Sequence, residues 1–250
     1  MKSVTAKKHL GQHFLKNSNI AQKITELLDK ESTQILEIGP GMGILTQFLI
    51  KNNYTTNVIE IDNESVVYLK SKYPNLRIYE GDFLNIDIKK QYPFQVSLIG
   101  NFPYNISSQI LFKTYENKNQ IHELIGMFQK EVAQRIVAKK GKQRGILSVL
   151  LQTFYNIEYC FDVDRSMFIP PPKVQSGVIK MTRNRRNDIG VDELKFKKIV
   201  KTTFNQRRKT VKNALKPLKI INQEAILDLL HLRAEQLSVD DFIKLTSNVE

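Results

Sequence analysis

Four consecutive residues, Asn101, Phe102, Pro103 and Tyr104, bring an amide oxygen, a stiff backbone and an aromatic ring into one short stretch. The Asn101 side chain offers one carbonyl acceptor and the Phe102 backbone a second. Pro103 stiffens the segment and biases its predecessor toward an extended conformation. Tyr104 supplies a face for a planar base, a contact worth ~1–3 kcal/mol per base. Two acceptors beside a stacking ring suit an exocyclic amino group such as adenine N6. That nitrogen is a poor nucleophile because its lone pair is delocalised, so attack requires it to become tetrahedral with both hydrogens held. On its own the same tetrapeptide also reads as a turn with a buried tyrosine.

The electrophile needs a site of its own. Glu37-Ile-Gly-Pro-Gly-Met-Gly43 ends an apolar run, and its glycines let a backbone turn tightly and approach a ligand closely. Glu60 follows Gly39 by about 20 residues, where nucleotide-binding sheets place an acid that accepts hydrogen bonds from a ribose. The spacing departs from the dinucleotide pattern G-x-G-x-x-G, and Pro40 removes an amide that would face a pyrophosphate. S-adenosylmethionine, an adenosine without phosphate, fits both features, with Gly39 and Gly41 against it. Asp82, in Gly81-Asp82-Phe83, either accepts from the adenine amino group or caps a turn. A sulfonium already activates its methyl group, so the site has chiefly to align donor and amine, for which effective molarities of roughly 10⁵ M or more are available. No metal is expected, since His9, His13, His122 and His231 lack ligand spacing. Phe168, beside Pro170-Pro171-Pro172, either walls the base pocket or packs against the proline turn.

The elements that must position these residues alternate. Strand-like runs at 35–38, 57–61, 76–79, 96–100 and 124–128 are separated by stretches with helical spacing, which predicts an α/β, doubly wound parallel sheet. The glycine turn and the Asn101 segment fall at carboxyl ends of strands, where such sheets bind ligands. A helix is expected over 146–155, and two late strands, near 157–163 and 177–181, are placed to pair at the sheet edge. Around Arg183 the chain turns polar and basic, and only helical periodicity follows: Phe196, Ile199, Val200 and Phe204, then Ile226, Leu229 and Leu230, then Phe242 and Ile243. The expectation is a Rossmann-like S-adenosylmethionine-dependent methyltransferase domain over 1–182 and a small all-helical domain over 183–250.

The chain carries 38 Lys and Arg against 25 Asp and Glu, a net charge of +13 that suits a polyanionic partner. Residues 183–250 contribute 15 cations and 9 anions, a denser excess than the remainder. Cys160 is the only cysteine, so no internal disulfide framework exists. No segment approaches the ~20 apolar residues of a membrane span, and a cytoplasmic monomer is expected.

Gly11-Gln12-His13-Phe14-Leu15, Glu37 to Gly43, Asn101 to Ser107, Gln129 to Arg135, Phe168 to Ser176 and Phe204 to Thr210 together resemble the KsgA/RsmA family of ribosomal small-subunit adenine dimethyltransferases. The resemblance spans nearly the whole chain. It implies methylation of two adjacent adenosines in the loop of the 3′-terminal hairpin of 16S rRNA, with the small ribosomal subunit as partner. It also implies that His13, Leu15, Gly39, Glu60, Asp82 and Asn101 touch the cofactor. Lys7, Lys8, the loop from Lys139 to Arg144, and Arg207, Arg208 and Lys209 would face RNA. His13 stands where relatives often have asparagine, which favours a backbone contact there, and Phe102 stands where many have leucine. The rival readings are an erythromycin-resistance type 23S rRNA methyltransferase on the same fold, and a non-catalytic assembly or RNA-binding factor.

Overall fold

The computed structural model describes residues 4–32 and 34–250. They form two compact units, one from the residues up to 133 with Ile157–Arg183, the other from Gln134–Asn156 and Asn184–Glu250. In chain order the first unit holds β1 (Phe14–Leu15), α1 (Ser18–Thr25), β2 (Gln34–Ile38), α2 (Thr46–Lys51), β3 (Thr55–Glu60), α3 (Asn63–Lys72), β4 (Arg77–Glu80), α4 (Ile88–Gln91), β5 (Val96–Asn101), α5 (Ser107–Glu116) and β6 (Ile121–Gln129). The chain passes to the second unit within α6 (Lys130–Val137), forms α7 (Ile146–Phe154), and returns within β7 (Tyr155–Val163) to β8 (Phe168–Ile169) and β9 (Ser176–Arg183). The second unit then adds α8 (Glu193–Asn205), α9 (Val211–Ala214) and α10 (Val239–Ser247).

A seven-stranded sheet runs in the order β4-β3-β2-β5-β6-β9-β7. Strands β4, β3, β2, β5 and β6 are parallel to their neighbours, and β9 pairs antiparallel with β6. Strands β2, β5 and β6 are buried almost throughout, as largely apolar strands covered on both faces must be, with Glu37, Ser97 and Glu123 as their buried polar residues. The chain winds from β2 outward to β3 and β4, then crosses to the other side of β2 with β5. That reversal opens a crevice at the carboxyl ends of β2 and β5. The register Glu37↔Ile99 sets Ile38 and Asn101 at that edge. The two late strands are neighbours, as the sequence suggests, but β9 enters between β6 and β7.

One core cluster unites α1 (Ala21, Ile24) and α2 (Leu49) with Ile35, Ile99, Ile125, Met127 and Val178 of the sheet. Burying such a side chain stabilises by about 1.5–3 kcal/mol. Outside the sheet, β1 pairs antiparallel with β8, matching Phe14 with Ile169 and Leu15 with Phe168.

The second unit is helical. Phe196, Ile199, Val200 and Phe204 line the buried face of α8, which packs on α7 and α10. Thus the helix read at 146–155 belongs with the C-terminal segment, and the division at 183 separates α7 from the helices it packs against. Ile226 ends a 3-10 helix (Glu224–Ile226) and residues 227–230 are turns, so no α-helix forms there. Their geometry serves α9, because the Lys212 and Val211 amides donate to the Leu230 and Leu232 carbonyls at 3.0 and 2.7 Å.

Candidate active site

The glycine turn leaves β2 with its amide tied to β3: Gly39 N donates to the Ile59 carbonyl at 2.9 Å. Gly39 and Gly41 sit at φ +65° and +55°, in the left-handed region that favours glycine. A Cβ on Gly41 would lie 2.8 Å from the Phe14 ring. Glu60, at the end of β3, is buried and accepts from Gly41 N at 3.0 Å and Asp62 N at 2.9 Å. Its carboxylate thereby shapes the turn, while its remaining lone pairs stay available to ribose hydroxyls. Burial holds the Glu60 pKa above the usual carboxylate range. Glu37, beneath the turn, accepts from Thr46 Oγ1 at 2.6 Å, and burial pushes its pKa up to about 8.

Asn101 ends β5 with its amide held in one orientation. Its Nδ2 donates to the His13 carbonyl at 2.8 Å, and Oδ1 has no protein partner among the described residues. Phe102 turns its ring into the core, 5.1 Å from the Phe128 ring and almost fully buried, so this residue meets the cavity through its backbone. Gly126 makes room, since a Cβ there would stand 2.5 Å from the Phe102 ring. The Pro103 carbonyl accepts from Ile106 N and Ser107 Oγ, which starts α5. Tyr104 is fixed at both ends: its hydroxyl lies 2.5 Å from Ser176 Oγ, and its ring stacks on His13 at 5.8 Å.

Residues 7–15 cross the crevice as a strap. Asp62 accepts from Lys7 Nζ, from Gln12 Nε2 at 3.1 Å and from Ser65 Oγ at 3.1 Å. Burial alone would raise the Asp62 pKa, but these bonds outweigh it and lower the pKa. Lys7 N donates to Gln12 Oε1 at 2.8 Å, and His13 Nδ1 lies 2.8 Å from the Pro170 carbonyl. Lys7 is thus committed to an ion pair inside the unit rather than to an external anion, whereas Lys8 is exposed. The sequence motifs include Gln12 and Ser176 without assigning them a role, and they omit Asp62, whose strand-end position two residues past Glu60 was the available signal.

One cavity joins these parts. His13, Gly39, Gly41, Glu60, Asp82, Asn101, Phe102, Pro103 and Tyr104 all line it, with Ile59, Ile61 and Phe83 as apolar walls. Asp82 caps the turn at Phe83–Asn85 through Oδ1, 2.8 Å from Leu84 N, and Oδ2 has no partner among the described residues. Lys113 braces that turn, donating to the Leu84 and Ile86 carbonyls. Phe168 does not line this cavity, and Leu15 lines a smaller pocket beside it with Phe14, Gly39 and Asn101; both are buried in the core cluster. In a two-residue ladder one pair of side chains faces each way, and the pair Leu15↔Phe168 faces inward. Phe14, from the other pair, lines the cavity instead. In the second unit, Arg208 and Lys209 are exposed and Arg207 is half-buried.

No lysine or arginine lines the cavity, whereas two carboxylates do. A pyrophosphate would find no cation there, and a sulfonium with its amino group and ribose finds acceptors. Among the described residues no group of three or more His, Cys, Asp and Glu could hold a metal ion, and no helix is long and apolar enough to cross a membrane.

Fold and site together define a Rossmann-like methyltransferase. The family model described as ribosomal RNA adenine dimethylase matches residues 3–248, and the chain belongs to that family. It is 53% identical to the ribosomal RNA small subunit methyltransferase A of Cytophaga hutchinsonii, over 99% of this chain and 98% of that one. The protein of the same name from Flavobacterium johnsoniae is also 53% identical, over 100% and 98%. Among solved structures, a dimethyladenosine transferase from Plasmodium falciparum superposes with a TM-score of 0.80 at 26% identity, covering 95% and 99% of the two chains. The 23S rRNA methyltransferase ErmE shares the fold, with a TM-score of 0.74 at 22% identity over 94% and 98%.

Proposed function

We propose that this chain transfers methyl groups from S-adenosylmethionine to N6 of two adjacent adenosines in the 3′-terminal hairpin loop of 16S rRNA, acting as a cytoplasmic monomer on the small ribosomal subunit. The observation that carries the chemistry is the Asn101 amide: its donor end is spent on the His13 carbonyl, which leaves Oδ1 to accept a hydrogen from the adenine amine. The Phe102 carbonyl takes the second hydrogen, and Tyr104, braced by Ser176, stacks the base. Glu60 and Asp82 accept from the ribose and adenine of the cofactor, and the Gly39–Gly41 turn lets its methionine part approach. When bound, the sulfonium supplies the activated methyl group. Arg208, Lys209 and Lys8 meet RNA phosphates. The identity to small-subunit methyltransferases over the full length favours the 16S target over a 23S one.

The test is labelled methyl transfer to undermethylated small subunits, large subunits and naked RNA, with Asn101→Ala and Asn101→Asp as controls. Small subunits should be labelled, and each variant should lose about 10²–10³-fold in kcat, as removal of one preorganised hydrogen-bonding group does. Asp fares no better than Ala because a carboxylate cannot donate to the His13 carbonyl. Labelling confined to large-subunit RNA, or none at all, overturns the reading.

A further inference from the structure

The basic loop from Lys139 to Gly145 and the cluster Arg207, Arg208 and Lys209 lie far apart in sequence, yet the second unit joins them. Arg207 Nη2 donates to the Lys142 carbonyl. Its Nε stands 3.7 Å from Glu235 Oε2, a buried oxygen with no hydrogen bond. The same Glu235 accepts the loop's Gly141 amide on its backbone carbonyl at 3.0 Å. Arg144 closes the other side: almost fully buried, it donates through Nη1 to the Lys139 and Leu237 carbonyls.

Two guanidinium groups therefore hold the loop through its carbonyls, one from inside it and one from the 207 cluster. Lys139, Lys140 and Lys142 are exposed with no ion pair among the described residues, as are Arg208 and Lys209. We infer that Arg207 is a positioning residue: it fastens the 139–145 loop beside residues 208–209, so that these five cations form one preassembled surface for an RNA phosphate backbone. The RNA partner rests on the function proposed above; the fastening does not.

Chemistry sets Arg207 apart from its neighbours. A planar guanidinium can serve a carbonyl and a carboxylate at once, whereas an ammonium acts as a single compact charge. Removing Arg207 would leave the partly buried Glu235 carboxylate without the cation beside its enclosed Oε2. Arg208 and Lys209 have no comparable commitment, which leaves them to external anions. Each phosphate they neutralise should add about 0.9 to the slope of log K against log salt.

The experiment uses the full chain, amide hydrogen exchange and a fluorescent RNA hairpin. Arg207→Lys and Arg207→Met should both accelerate exchange across 139–145 by about tenfold or more, and both should weaken hairpin binding alike, although lysine keeps the charge. Glu235→Gln, with Arg207 intact, should accelerate the same amides. Arg208→Ala and Lys209→Ala should leave exchange unchanged and each reduce the salt slope by about 0.9. Wild-type binding by Arg207→Lys while Arg207→Met fails would make Arg207 an ordinary phosphate ligand, and unchanged loop exchange in Arg207→Lys, Arg207→Met and Glu235→Gln would also overturn the inference. A wild-type chain that ignores RNA would instead refute the functional reading, with exchange still deciding the fastening.

Discussion

Asn101 has two ways to place its amide, and the His13 carbonyl selects one. A carbonyl only accepts, so the NH₂ end must meet it and the oxygen must turn away. His13 thus contributes through its backbone, and its ring contributes a separate contact by stacking on Tyr104. Glu37 shows the same economy with a different group. Sealed under the glycine turn with only Thr46 as a side-chain donor, it titrates near 8 and is mostly neutral at pH 7. A carboxyl whose folded pKa exceeds its unfolded value stabilises the fold fully below the unfolded pKa, and that stability drains as pH rises toward the folded one. Between about pH 4.5 and 8 the wild-type chain should lose a few kcal/mol from this group, of order 1.4 kcal/mol per pH unit. Thermal melts of Glu37→Gln against wild type should show the variant gaining relative stability as pH climbs through that window. Parallel curves would mean that Glu37 is charged when folded.

At the level of elements, the strap over residues 7–15 is the least regular piece and the one that closes the cavity. Its regular structure is one 3-10 turn at Lys8–Leu10 and a two-residue strand, so side chains must help to hold it, and Asp62 takes two of them, Lys7 and Gln12. Lys7→Met should weaken cofactor binding severalfold and leave the salt dependence of RNA binding unchanged. Lys8→Ala should do the reverse, reducing the salt slope by about 0.9 without touching cofactor affinity. Titrations with S-adenosylmethionine and with RNA at several salt concentrations separate the two; a salt effect at Lys7 would return it to the RNA face. The parallel strands were legible in the sequence because strands covered on both faces read as largely apolar runs, as in Val96 to Gly100, where Ser97 is the one polar side chain. The cavity was legible in its glycine turn, Glu60, Asp82 and Asn101–Tyr104, whose backbone demands leave local signatures. The strap, the pair β1–β8 and the turns at 227–230 left none. Their conformations are set by partners distant in sequence: Pro170 and the strand Phe168–Ile169 for the strap, α9 for the turns. Phe168 illustrates the limit, since its motif identifies an aromatic position and only the strand pairing decides which way it faces.

Over the whole molecule, neither unit is a continuous length of chain. The second draws α7 from between two segments of the first, and α7 packs on both α8 and α10. A fragment spanning 184–250 would expose the apolar faces of α8 and α10 that α7 covers. It should show no cooperative thermal transition by circular dichroism, whereas the intact chain should show one; a well-folded fragment would make α7 dispensable. The position of β9 in the sheet reaches further. Strand β7 is made before β9 but lies beyond it, so the sheet can finish only when the later strand slides into the gap. During translation the five parallel strands through β6 can assemble as they leave the exit tunnel. Strand β7 must idle until residue 183 has emerged, and α7 until α10 has. A chain that has emerged only as far as β6 therefore already holds the crevice between β2 and β5, but lacks the strand that ties β7 to the sheet.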